Sequence, residues 1–199
     1  MSFYIQQGNH KLDKTIMGFS LPCKITCPGA GECKKYCYSN KSERLYPRVL
    51  KCRYRNLELT KKGSFVRTMD RIIEEKVDNG LSKFRLHVDG DFYNQKYLDN
   101  WTQILYSFPK LKVVSFTKSF HLNWDDIPDN MIYIQSSGSK WDHLINKRLN
   151  TARVIENPDL TAKSEYLCPY NNSSSFTKCG ISCNYCFTKG KKHVAFLKH

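Results

Sequence analysis

Eight of the nine cysteines in this 199-residue chain stand near its two ends, with none between residues 53 and 167. Cys168, Cys179, Cys183 and Cys186 lie within 19 residues in CPYNNSSSFTKCGISCNYC, and Cys23, Cys27, Cys33 and Cys37 lie in CKITCPGAGECKKYC. Thiolates grouped this way bind soft metals, either as zinc sites or as iron–sulfur clusters. Zinc ribbons use paired CxxC knuckles, and only one such pair occurs, Cys183/Cys186. The Cys27-Pro28 and Cys168-Pro169 steps lean toward iron–sulfur, as in ferredoxin runs that end in Cys-Pro. The spacing thus predicts one or two [4Fe-4S] clusters, with zinc as the alternative. In the N-terminal stretch Cys27-x5-Cys33-x3-Cys37 is a looser set, and Cys23 is either a fourth ligand or a bystander. Three ligands leave one iron open to a substrate or cofactor; four close the cluster. Cys52, in KCRYRN, reads as a half-buried helical thiol. In a reducing compartment grouped cysteines are metal ligands, and an extracellular disulfide framework is the other use of the same spacing.

The net charge of +14 is unevenly spread. Residues 1–63 carry +9, residues 64–162 are neutral and residues 163–199 carry +5, so the excess lies with the cysteines. Part of it offsets thiolate-bound metal, and the rest would attract nucleic acid or another polyanion, unless it is only a solvated basic surface. Tyr36, Tyr38, Tyr46 and Tyr54 interleave with Lys34, Lys35, Arg44, Arg48, Lys51, Arg53 and Arg55, a pattern suited to base stacking with phosphate contacts, or to shielding a cluster. No segment approaches about 18 consecutive apolar residues and no signal peptide is visible, so the expectation is a soluble, cytoplasmic protein without membrane contact.

The elements that must position these residues are legible in outline. KTIMGFSL reads as a strand ending at Pro22, followed by the first cysteine loop. Residues 47–59 and 64–77 read as helices, the second with Phe65, Met69, Ile72, Ile73 and Val77 at helical spacing and Gly80 as its stop. FRLHV is a strand running into the turn Asp89-Gly90-Asp91, residues 94–107 are helical with Tyr97 and Trp101 in the core, and LKVVSF, MIYIQSS and ARVIE are strands. Asp125-Asp126 reads as a solvated helix start. Alternating strands and helices predict an α/β fold, either a partial (β/α) barrel or an open, mostly parallel sheet, with cysteine-rich loops at both ends. The chain is read as a single domain over 1–199, with an α/β body at 8–157 carrying the cysteine loop at 23–37, and a metal-binding extension at 158–199.

GNHKLDKTIMGFSLP, TCPGAGECKKYCYS, RLHVDGDFYNQKYLDNW and VVSFTKS resemble a family of small phage and mobile-element proteins known only as a numbered gene product of unassigned function. The resemblance covers roughly residues 8–157, with TCPGA and GDF its most specific parts. It implies a phage-type protein, placed in the host cytoplasm if phage-encoded. It also favours Cys27, Cys33 and Cys37 as ligands, because the family pattern does not require cysteine at position 23; the C-terminal cysteine stretch is less typical of it.

The same segments are similar in layout to a minimal radical S-adenosylmethionine barrel, where a cluster loop follows the first strand and a carboxylate motif ends the second. The C-terminal CxxxCxxC has the matching spacing, but only 13 residues follow it. On this likeness Gly90 and Asp91 would bind S-adenosylmethionine, with Ser115, Thr117, Lys118, Gln135, Ser136 and Ser137 as further strand-end polar groups. The plainer reading makes Asp89-Gly90-Asp91 a turn with Asp91 near a helix N-cap, and His87 a packed histidine. Three functions follow: a radical-SAM-like enzyme with two clusters, a non-catalytic metal-stabilised nucleic-acid-binding protein, and a two-cluster electron carrier. No Ser-His-Asp order, Walker loop, GxGxxG or HExxH is present, which leaves hydrolase, phosphoryl-transfer and dinucleotide chemistry without a foothold.

Overall fold

Strand order in this protein rises with sequence from the first strand to the sixth, and that order fixes where its loops meet. The computed structural model describes residues 2–171 and 177–198. They form β1 (Gln6–Gln7), β2 (Ile16–Phe19), β3 (Lys83–Leu86), β4 (Lys112–Thr117), β5 (Met131–Ser136), β6 (Thr151–Ile155), β7 (Tyr166–Leu167) and β8 (His193–Leu197). Between them lie α1 (Tyr38–Leu45), α2 (Pro47–Thr60), α3 (Phe65–Asp78) and α4 (Gln95–Tyr106). The sheet runs β1-β2-β3-β4-β5-β6-β8-β7, with β1 antiparallel to β2 and the other neighbouring pairs parallel. This is the open, mostly parallel sheet of the two expected architectures. Among the described residues no strand pairing closes it into a barrel.

The central order β2-β3-β4-β5-β6 never reverses, so there is no topological switch point of the doubly wound kind. In parallel register Phe19 lies beside Leu86, Leu86 beside Ser115, and Thr117 beside Gln135. The loops after β2, β3, β4 and β5 therefore leave from one edge of the sheet, and any site they build must lie there.

Each helix forms for a local reason and docks for a tertiary one. α2 starts with Pro47 in its first turn, where the missing N–H costs nothing. α3 buries Phe65, Met69 and Ile73 on its apolar stripe. α4 is capped by the Asn94 side chain, which accepts from the Tyr97 amide at 2.9 Å, and buries Tyr97, Leu98, Trp101, Ile104 and Leu105. These helices cover one face of the sheet. Trp101 meets Phe19, Phe65 and Phe84 edge-on at centroid distances of 5.4, 5.5 and 5.6 Å, so β2, β3, α3 and α4 share one aromatic core.

The other face has a different cover. Ile16, Val114, Ile134, Ala152 and Val194 are packed there with Leu12 and Phe187, and Cys168, Cys179, Tyr185 and Cys186 pack against them. The sulfur-rich C-terminal stretch thus replaces a helix layer, and the chain beyond 158 adds β7 and β8 to the same sheet.

Some expectations need correction. Asp125 and Asp126 lie in a turn, where Asp126 accepts from the Tyr106 hydroxyl, because Asn123 binds the Asp125 amide and starts a turn instead of a helix. The N-cap near Asp91 is Asn94, three residues on. Arg53 is buried in an ion network and is unavailable to phosphates.

His87, as expected, is a packed residue. It sits just past β3 with φ of 58°, between Phe92 and Tyr97, with Nε2 2.9 Å from the Tyr97 hydroxyl. Burial, reinforced by the Arg85 charge, pushes its pKa down to about 3. The unfolded chain then binds a proton below the ordinary histidine range that the folded chain refuses. Stability is intact above that range and is lost as pH falls toward 3, at up to about 1.4 kcal/mol per pH unit from this group. NMR should show the His87 ring signals not titrating between pH 7.5 and 5.

Candidate metal centres

The N-terminal cysteine loop is stitched down over the strand ends. Gly31 N and Cys33 N both donate to Gly138 O, at 3.2 and 3.1 Å, and Lys140 N donates to Gly29 O at 3.0 Å. Ser139 Oγ donates to the same Gly29 carbonyl at 2.8 Å. At Gly29 the two backbones nearly touch: a Cβ there would lie 2.0 Å from the Lys118 carbonyl oxygen. Gly29→Ala should therefore displace the loop at a cost of about 3 kcal/mol, read by chemical denaturation.

A buried ion network holds the loop's other end. Arg53 bridges Glu43, at 2.9 Å, and Asp89. Asp89 also accepts from Ser39 Oγ and, at 3.2 Å, from Ser20 Oγ. Glu43 accepts from the Cys23 amide at 2.7 Å and the Cys23 thiol at 3.0 Å. So α1, α2, β2 and the end of β3 are locked around the cysteines.

The second carboxylate of the turn, Asp91, is also fully engaged. Its oxygens accept from Phe92 N at 2.8 Å, Thr117 Oγ1 at 2.7 Å and Lys118 N at 2.7 Å, tying the end of β3 to the end of β4. Burial outweighs these bonds and pushes its pKa up to about 6. Gly90, at φ of 83°, brings the backbone against Leu21 and Thr26, where a Cβ would come within 2.7 Å of each. The Lys118 ammonium donates to Ser136 Oγ at 2.6 Å and to the Ser137 carbonyl at 2.7 Å.

Of the strand-end residues singled out from the sequence, Gly90, Asp91, Thr117, Lys118, Ser136 and Ser137 are brought together under the cysteine loop. Ser115 and Gln135 are not. Ser115 is fully buried within β4 with its hydroxyl unpartnered. Gln135 is bonded to the Asn146 backbone and secures the β5–β6 connection.

All nine cysteines are free thiols, and Cys52 is half-buried on α2. Cys27, Cys33 and Cys37 lie within electrostatic range of one another. Burial, with Asp91 nearby, pushes Cys27 up to about 12, and burial raises Cys33 as well. Cys37 differs because it accepts a hydrogen bond from the Cys23 thiol and faces the Asn40 and Ser39 amides at the start of α1, which bring it down to about 6. Cys23 is raised by that same bond, by burial and by Glu43. This casts Cys23 as a protonated partner of Cys37. Cys27 and Cys33 are donors whose ionisation needs a positive centre, which is what a metal supplies, whereas Cys37 ionises readily on its own.

The C-terminal four form a second group. Cys168, Cys183 and Cys186 all act electrostatically on Tyr166, and Cys179 is in range of Cys168, Cys183 and Cys186. Burial pushes Cys186 up to about 12 and raises Cys179, against the nearby charges of Arg85 and Lys11. Among the described residues no three His, Cys, Asp or Glu side chains stand as a preformed metal site. Both groups are gatherings of donors, not assembled coordination shells. A cleft of about 950 Å³ lies elsewhere, on the helix layer beside Thr60, Arg67 and Tyr93.

A model of the family described as Gene product 88 matches residues 4–182. The chain belongs to the Gene product 88 family. The match extends past the body expected from the sequence and takes in Cys168 and Cys179, stopping just before Cys183. Among family relatives, the Gene 88 protein of Mycobacterium phage L5 is 24% identical over 201 residues, covering 86% of this chain and 82% of that protein. The Gene 88 protein of Mycobacterium phage D29 is 23% identical over 202 residues with the same coverage. No solved structure matches. Among the described residues no helix is long and apolar enough to cross a membrane.

Proposed function

We propose that this member of the Gene product 88 family is an iron–sulfur protein, in which Cys27, Cys33 and Cys37 hold a [4Fe-4S] cluster with one iron open to S-adenosylmethionine, in the manner of radical-SAM enzymes. The observation that carries the reading is the seating of a three-thiol loop over the carboxyl ends of β3, β4 and β5, the edge where parallel sheets build their sites. When bound, such a cluster supplies an electron to the coordinated cofactor. The chain's own residues hold the loop rigid: Asp91 joins the ends of β3 and β4, Asp89 and Arg53 fix the start of α1, and the Lys118 ammonium brings positive charge beside Cys33. Asp91 already accepts three internal hydrogen bonds, so its support for a cofactor is chiefly positional. The free thiols fit a reducing, cytoplasmic setting. The test is the electron paramagnetic resonance signal of the reduced protein, which should change on adding S-adenosylmethionine; an iron-loaded protein whose signal ignores it would remove the enzyme reading.

A second reading, binding of nucleic acid without catalysis, is favoured by one observation. Tyr46 and Tyr54 are exposed on and beside α1 and α2, together with Arg44, Arg48, Lys51 and Arg55. It predicts single-strand binding that weakens steeply with salt and with Tyr46→Ala, independently of S-adenosylmethionine. A flat salt response would contradict it.

A further inference from the structure

The first and last strands of the sheet order should be far apart, yet the C-terminal cysteine stretch touches both. Cys179 N donates to Lys11 O and Asp13 N donates to Cys179 O, each at 2.9 Å, which fastens the stretch to the β1–β2 turn. Gly180, at φ of 100°, lies against Ile16 and Asp13, and the Lys83 ammonium donates to its carbonyl at 3.3 Å. At the other edge Cys168 N donates to Ala195 O of β8 at 2.9 Å. Tyr166 of β7 stacks on Tyr185 at 4.1 Å, with its hydroxyl 3.8 Å from Cys183 Sγ. The four cysteines therefore come from two places: Cys168 follows β7 at one edge, while Cys179, bridged by backbone to Cys183, is fastened to the β1–β2 turn, with Cys186 three residues past Cys183.

Two cations lie beside them. Arg85 projects from β3 over the Phe116 ring at 4.0 Å, and Lys11 lies over Phe196 at 4.6 Å. Both act on Cys179 and Cys186. Among the described residues neither is in an ion pair with a carboxylate; Asp89 reaches Arg85 only at longer range. Both cations are half-buried, and a metal held by four thiolates, which carries net negative charge, would give them a counter-charge.

We infer that Cys168, Cys179, Cys183 and Cys186 hold a thiolate metal centre, iron–sulfur or zinc, that clasps the β1–β2 turn to the β7–β8 edge across the face of the sheet opposite the helices. It extends the two-centre reading above but stands without the N-terminal cluster: closure is done by metal ligation where strand pairing is missing. The clasp couples metal binding to folding, as structural metal sites do.

The test compares wild-type protein, Cys183→Ser and Cys186→Ser, purified anaerobically, for metal content and for hydrogen–deuterium exchange. Each variant should lose one metal complement and retain the N-terminal one. Amides of Asp13 and Cys179 should exchange at least about tenfold faster, while α3 is unchanged. Should a variant fail to fold, chelation of the wild-type chain gives the exchange comparison, with Asp13 and Cys179 expected to exchange faster while α3 is unchanged. Loss of metal without faster exchange at Asp13 overturns the clasp. Unchanged metal content overturns the ligand assignment, and loss of only the N-terminal iron in Cys27→Ser tests the proposed function separately. Iron with sulfide, or zinc, in the wild-type protein tells which metal is held.

Discussion

Serine at Cys27, Cys33 or Cys37 should each remove the N-terminal cluster outright, lowering iron from about eight to about four per chain if both centres are cubanes. The expectation is all-or-none because a three-ligand cluster has no spare thiolate within reach except Cys23, and that thiol is committed to Glu43 and Cys37. Cys23→Ser should keep most of the iron, since serine retains a hydroxyl donor toward Glu43. Cys52→Ser, half-buried on α2, should change nothing. Iron and acid-labile sulfide analysis of the five variants measures this directly. Equal losses at Cys23 and Cys27 would place Cys23 among the ligands.

Arg53→Ala should be the most destabilising change outside the aromatic core, by about 3–5 kcal/mol in chemical denaturation. The guanidinium is buried and satisfies Glu43 and Asp89 together, so its removal leaves two carboxylates facing each other's former partner without compensation. Arg53→Lys should recover only part of the loss, because a single ammonium does not span both carboxylates as the planar fork does. The variant should also release α1 and with it Cys37, so metal content at the N-terminal loop falls along with stability. Asp89→Asn should fall between, keeping the shape while removing the charge that balances Arg53.

What could be read from the sequence, and what could not, divides by the range of the interaction. α3 was legible because Phe65, Met69 and Ile73 recur at helical spacing, and β4 because KVVSF is apolar up to its polar end. α1 was not, since YSNKSERL has almost no apolar stripe and is held by Ser39 and Glu43 bonding to partners elsewhere in the chain. β8 was missed although HVAFL is a short apolar run bounded by Lys191 and Lys192, a signal that could have found it. The turn Asp89-Gly90-Asp91 was visible as a turn, but its two carboxylates look alike in sequence. Only the fold separates Asp89, paired with an arginine 36 residues before it, from Asp91, bonded to Thr117 and Lys118 on the next strand. The meeting of Cys179 with Lys11 and Asp13 joins opposite ends of the chain, and no local pattern announces it.

The cysteine trio lies in a loop whose every anchor, from Gly29 against Lys118 to Cys33 against Gly138, serves to hold it over the strand ends. The most direct test of that claim is the metal and sulfide content of the anaerobically purified protein together with its ultraviolet–visible spectrum. The account predicts a brown protein with a broad absorption that bleaches on reduction, with about four irons and four sulfides per chain from the N-terminal cluster and about eight of each if both centres are cubanes. A colourless protein carrying only zinc, or no metal at all, would contradict it.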